Sequence, residues 1–161
     1  MANKATVKLQ ADPAQLRGLY AAMRQMDDAS KTTLKNEVTS ISAWSAAEIR
    51  SNASASPFPA QAEKVAMTVR ENKDRIPNVT IGGSRKVTST RAEAGFLLFG
   101  AEFGGPSPFP NGGRRFPYRS ANGGRAGYWI FPKLKQIQPE LTRRWKSSVE
   151  RLVIAPWGRN G

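Results

Sequence analysis

A chain of 161 residues, 39% hydrophobic and carrying a formal net charge of +13, has room for one core of ordinary size beneath a basic surface. It contains no cysteine and no histidine, which excludes disulfides and all but excludes zinc or haem ligation and nucleophiles of the Ser-His or Cys-His kind. No run of about twenty apolar residues is long enough to span a membrane, and Met1 to Gln10 lacks the apolar centre of a signal peptide.

The positive charge is unevenly placed. Residues 1–81 carry 11 basic and 8 acidic groups, whereas residues 82–161 carry 14 basic and 4 acidic groups. A half this basic fits a polyanionic neighbour: nucleic acid, anionic lipid or the acidic face of another protein. The plainer alternative is solubility alone.

Taken in order, Ala5 to Gln10 alternates apolar and polar residues, as a short strand does. Asp12 followed by Pro13 is a helix start, and Leu16, Leu19, Tyr20, Met23 and Met26 share one face, predicting a helix over 13–28. Asp28 or Ser30 can cap a second helix over about 31–52, with Leu34, Val38, Ile41, Trp44 or Ser45, and Ile49 facing inward. Ser51 to Pro57 ends it as a connection. Val65, Met67 and Val69 alternate, as do Val79 and Ile81, and Glu71 to Asp74 between them is turn chemistry. Residues 64–82 therefore read as a β-hairpin, with Val87 to Thr90 a further short strand. Gly82-Gly83-Ser84-Arg85-Lys86 lacks the Walker spacing and a following helix, so it is not read as a phosphate loop.

The organising stretch is Phe96 to Pro132. Two apolar runs, Phe96-Leu97-Leu98-Phe99 and Tyr128-Trp129-Ile130-Phe131, bracket a long insert rich in Gly, Pro, Arg and aromatic residues; both runs need buried partners, so the insert is held at both ends. Glycine and proline recur too often there for a helix, and a loop of this length in a small domain is usually functional or disordered. Beyond it, Leu134, Ile137, Leu141, Trp145, Val149 and Leu152 define a basic C-terminal amphipathic helix that Pro139 must kink or begin. The expected fold class is therefore α/β, of the α+β kind: N-terminal helices, a small antiparallel sheet, a long inserted loop and a C-terminal helix packed on the sheet. One domain would cover residues 1–161, with its core over about 13–153.

Two constellations within the central stretch leave alternatives open. Glu102 either meets an Arg or Lys of a neighbouring subunit or caps local backbone N–H groups; buried and unpaired it would be costly. Arg114, Arg115, Arg119 and Arg125, interleaved with Phe116 and Tyr118, fit phosphate and base contact, a protein interface, or a solvated loop. The interface reading is favoured, since Arg and aromatics dominate binding hot spots. Sequence-specific DNA reading has no helix-turn-helix or finger spacing behind it.

The order of elements, together with Phe99 to Gly105 (FGAEFGG), Pro108-Phe109-Pro110 and Trp129-Ile130-Phe131-Pro132 leading into Leu134, resembles the neck, or tail-completion, proteins of long-tailed bacteriophages. Gly105 stands where that family has a threonine, and the interval before the last helix is longer here. The resemblance implies a non-catalytic virion protein without cofactor or metal, forming a six-fold homo-oligomeric ring at the head–tail junction. It would join other connector and tail proteins, with DNA passing through the ring and no membrane contact. A tail terminator of the same junction and a basic DNA-binding accessory protein are the alternatives. The interface residues expected on this reading are Glu102, Phe103, Phe109, Arg114, Arg115, Phe116, Tyr118, Arg119, Arg125 and Trp129.

Overall fold

The computed structural model describes residues 6–9, 17–89, 91–104 and 127–157. Strand β1 (Thr6–Leu9) is followed by α1 (Arg17–Gln25), α2 (Asp28–Ser51), a 3-10 turn (Asn52–Ala55) and α3 (Pro59–Ala66). Then come β2 (Arg70–Glu71), β3 (Val79–Gly82), α4 (Ala94–Phe103) and α5 (Ile130–Val149). The last helix continues through a π-turn at Glu150–Ile154 and ends in Ala155–Trp157. The α+β class therefore holds in its coarse form, with helix predominating.

The longest helix, α2, starts one residue earlier than its expected caps allow. Asp27 is the cap: its carboxylate accepts hydrogen bonds from Ser30 N at 2.7 Å and from Ser30 Oγ at 3.1 Å. Along its buried face Leu34, Val38, Ile41 and Ile49 keep helical spacing, and Ser45 rather than Trp44 takes the inner position. The hydroxyls of Ser42 and Ser45, which would be costly to bury unpaired, donate to the Val38 and Ile41 carbonyls at 2.9 Å.

The expected strand over 64–70 is instead the end of a helix, through Ala66, then a turn, with only Arg70 in a strand. Pro59 opens α3 at a position that needs no N–H, and Ala62, Val65, Ala66 and Val69 are buried at three- and four-residue spacing. The alternation of Val65, Met67 and Val69 was a short-range coincidence, since the stripe becomes visible only with the two alanines. What remains of the hairpin is β2 paired antiparallel with β3, Arg70 against Thr80 and Glu71 against Val79. On the other side β1 pairs antiparallel with β3, with Val7 opposite Ile81, giving the order β1-β3-β2. Val87 to Ser89 form no strand. A tight loop closed by the Lys86–Glu93 bridge holds them, with Val87 N donating to Ala92 O at 2.9 Å.

The C-terminal helix also departs from expectation. It begins at Ile130, nine positions before Pro139, and runs through that proline. Pro139 and Lys135, whose carbonyl its missing N–H would have met, are both exposed, so the proline interrupts the helix on its solvent side. Its principal partner is α2, which it meets antiparallel, rather than the sheet. Three cross-helix pairs mark the seam: Lys133 with Glu48 at 2.8 Å, Arg144 over the Trp44 ring at 4.2 Å, and Arg151 with Glu37. Within α5 the Arg143 and Arg144 guanidiniums hold the Glu140 carboxyl down at about 2. Among the described residues of the basic half, Lys133, Arg143, Arg144, Lys146 and Arg151 are thus matched to carboxylates within the fold.

Two clusters of buried apolar side chains result. One joins the end of α2, α3, β3, α4 and the start of α5, around Ile49, Val65, Ile81, Leu98, Trp129 and Ile130. The other joins α1, the start of α2 and the far end of the last helix, around Met23, Met26, Leu34, Val38 and Val153.

Candidate functional site: the root of the central segment

The central segment leaves the described body at Gly104 and returns at Gly127, and a single side chain ties these two points together. Helix α4 ends where Gly104 takes φ +78°, a conformation that favours glycine, and its N–H still reaches Gly100 O at 2.9 Å. Two residues before that glycine sits Glu102, only 1% exposed.

A new helix has free N–H groups in its first turn, and its own cap residue, Trp129, offers no side-chain acceptor. The Glu102 carboxylate supplies one from 28 residues away. Its Oε2 accepts from Ile130 N at 2.8 Å and Trp129 N at 3.2 Å, and its Oε1 accepts from Phe131 N at 2.9 Å. The next position is Pro132, which has no N–H to satisfy. The positive end of the helix dipole also favours a carboxylate here. The Glu102 main chain joins in, its carbonyl accepting from Tyr128 N at 2.8 Å. Of the two roles left open for this acid, the structure places it in backbone capping.

Burial pushes the Glu102 carboxyl above its ordinary 4.5, against the pull of the Ile130, Phe131 and Trp129 N–H groups, which favour the charged form. The contact is close: a Cβ added at Gly127, where φ is +77°, would stand 2.1 Å from Glu102 Oε1. Two further bonds brace the same corner. Asn52 Nδ2 donates to Trp129 O at 2.7 Å, and Ser56 Oγ donates to Ala101 O at 3.4 Å. The Trp129 indole is fully buried, and among the described residues its Nε1 has no acceptor.

Outside this clamp lies an aromatic face. Phe96, Phe99 and Phe103 fall at i, i+3 and i+7 along α4, and Phe131 adds a fourth ring from α5. Phe99 and Phe103 stack at 6.3 Å, and Phe103 meets Phe131 at 5.5 Å. Phe96, Phe99 and Phe131 are 47%, 55% and 42% exposed, while Phe103 is half-buried. Contiguous exposed apolar patches of large rings are uncommon on monomeric proteins.

Of the residues expected at an interface, Glu102 and Trp129 are interior, where they support the helix end. Phe103 lies on the aromatic face. Phe109, Arg114, Arg115, Phe116, Tyr118, Arg119 and Arg125 fall outside the described residues. Sequence reasoning missed Phe96, Phe99 and Phe131 as surface residues, because both apolar runs were read as buried anchors. The available signal was that α4 is apolar on every side, more than one buried face can use. Among the described residues no group of three or more carboxylates gathers as metal ligands would, and none of their helices is long and apolar enough to cross a membrane. No protein-family model, curated protein or solved structure matches the chain.

Proposed function

We propose that this chain is a structural protein of the phage head–tail junction, a ring-forming neck subunit whose central segment and adjoining aromatic face meet neighbouring copies and layers. The observation that carries this reading is the pairing of an exposed phenylalanine row with a rigid root. One buried carboxylate fixes the points where the segment leaves and re-enters, and the rings beside them provide apolar area that association would bury. In a closed ring each contact is heterologous, so the face would meet a different patch on the next copy. The sequence resemblance supplies the class of assembly, and the chemistry required is adhesion only.

The test uses phage particles produced with variant copies of this chain. Replacing residues 106–126 by a short Gly-Ser linker should leave the purified chain folded and block head–tail joining. Phe96→Ser with Phe99→Ser should leave the melting transition nearly unchanged, since both rings are exposed, yet lower incorporation into particles by about tenfold or more. Full infectivity with the 106–126 replacement would refute the reading.

A further inference from the structure

A second surface lies at the opposite cluster of the fold and owes nothing to the head–tail reading. Between α1, the first turns of α2 and the connection from β2 to β3 is a groove of about 490 Å³. That volume is within the range of clefts that hold ligand side chains, roughly 300–1,000 Å³. Its floor is Met23, Met26 and Leu34, packed together as part of the second core cluster. Methionine thioethers adapt their shape to whatever rests on them, so two in one floor suit a variable apolar contact.

The rim is basic from three separate elements. Arg24 comes from α1, Lys31 and Lys35 from α2, and Lys73 and Arg75 from the β2–β3 connection, all exposed. The one carboxylate among the lining residues, Asp74, is engaged by its own loop, accepting from Arg75 N at 2.6 Å and Asn78 Nδ2 at 3.1 Å. Lys31 pairs with exposed Asp28 at 3.3 Å. Among the described residues Arg24, Lys35, Lys73 and Arg75 have no ion-pair partner, in contrast to the α2–α5 seam, where basic groups are matched one by one. These cations converge on an apolar floor and remain unneutralised.

We propose that this groove docks an acidic amphipathic segment of a partner protein, its apolar side chains on the methionine floor and its carboxylates on the rim. Charge complementarity selects the sign of the occupant, and the floor selects its class. A phosphate backbone needs cations but gains nothing from a methionine surface, whereas an acidic helix with an apolar stripe uses both. The rim speeds encounter and excludes basic segments, while the floor holds the occupant once seated.

The test is a fluorescence-anisotropy titration of the full chain with a labelled peptide of leucine and glutamate, roughly four helical turns long, leucines at helical spacing. Two companion peptides replace every glutamate by glutamine or every leucine by alanine. The leucine–glutamate peptide should bind saturably, one per chain, and each companion should bind about tenfold more weakly or worse. Lys35→Glu with Lys73→Glu, both exposed and checked for an unchanged circular dichroism spectrum, should lose a similar factor. Absence of saturable binding, equal binding by the alanine peptide, or an affinity indifferent to the charge reversal would each overturn the proposal. So would duplex DNA, anionic vesicles or a second copy of the chain competing for the same site with higher affinity and the same dependence on Lys35 and Lys73.

Discussion

Glu102→Ala should lower the unfolding free energy by about 3–5 kcal/mol, the range expected when a buried side chain leaves a cavity and strands buried N–H donors. The substitution removes the acceptor of Trp129, Ile130 and Phe131 together, and no other side chain caps that helix end. Urea denaturation followed by circular dichroism measures the loss, and hydrogen exchange should localise it to the first turns of α5. A change within about 0.5 kcal/mol, typical of a plain surface position, would show that the clamp is not structural.

Glu102→Gln separates charge from hydrogen bonding. The amide end cannot accept a hydrogen bond where the carboxylate does, so one N–H is stranded, costing about 1–3 kcal/mol. Because burial raises the folded pKa of Glu102, its contribution is fullest below the unfolded value of 4.5 and is lost as pH rises through the folded value. The gap between wild type and Glu102→Gln should therefore be widest in mild acid and narrow as pH rises. A gap that widened instead would mean the three donors outweigh burial.

Gly127→Ala is the second large effect, expected at about 3–4 kcal/mol. Left-handed backbone strain accounts for about 1–2 kcal/mol of it. The rest comes from a methyl group placed 2.1 Å from Glu102 Oε1, which must push the carboxylate off its donors. Gly83→Ala is the matched control: φ there is +85°, but nothing lies within 4 Å of the added Cβ, so only the strain should appear. In a Glu102→Ala background the Gly127 substitution should fall towards the control value, because the atom it strikes is gone. Additive effects would disprove direct contact between the two positions.

These contacts explain which parts of the structure could be read from the residues. Helix α2 was legible because its signal is local: an acid before the first turn and apolar side chains at regular spacing through Ile49. The central segment was recognisable as an insert held at both ends, because glycine and proline density marks it directly. How it is held was not legible, since Glu102 finds its donors 27 to 29 residues away and no pattern within either run announces the pairing. Helix α3 was misread because three alternating residues resemble a strand until Ala62 and Ala66 are counted on the same face. The charge imbalance was visible as a total, but its meaning depends on pairing across α2 and α5. Glu37 and Glu48 neutralise Arg151 and Lys133, and only the fold brings them together.

The antiparallel seam between α2 and α5 has a consequence for chain continuity. Among the described residues, those after Gly127 are fastened to the earlier part of the molecule by the Asn52, Glu102, Glu48, Trp44 and Glu37 side chains and by the main-chain bond from Tyr128 N to Glu102 O. A nick introduced anywhere within 105–126 should therefore yield two pieces that co-elute in native buffer and separate only in denaturant. Fragments 1–104 and 127–161, produced as independent polypeptides in one cell, should find each other and rebuild the body, making this protein divisible between its two clamped points.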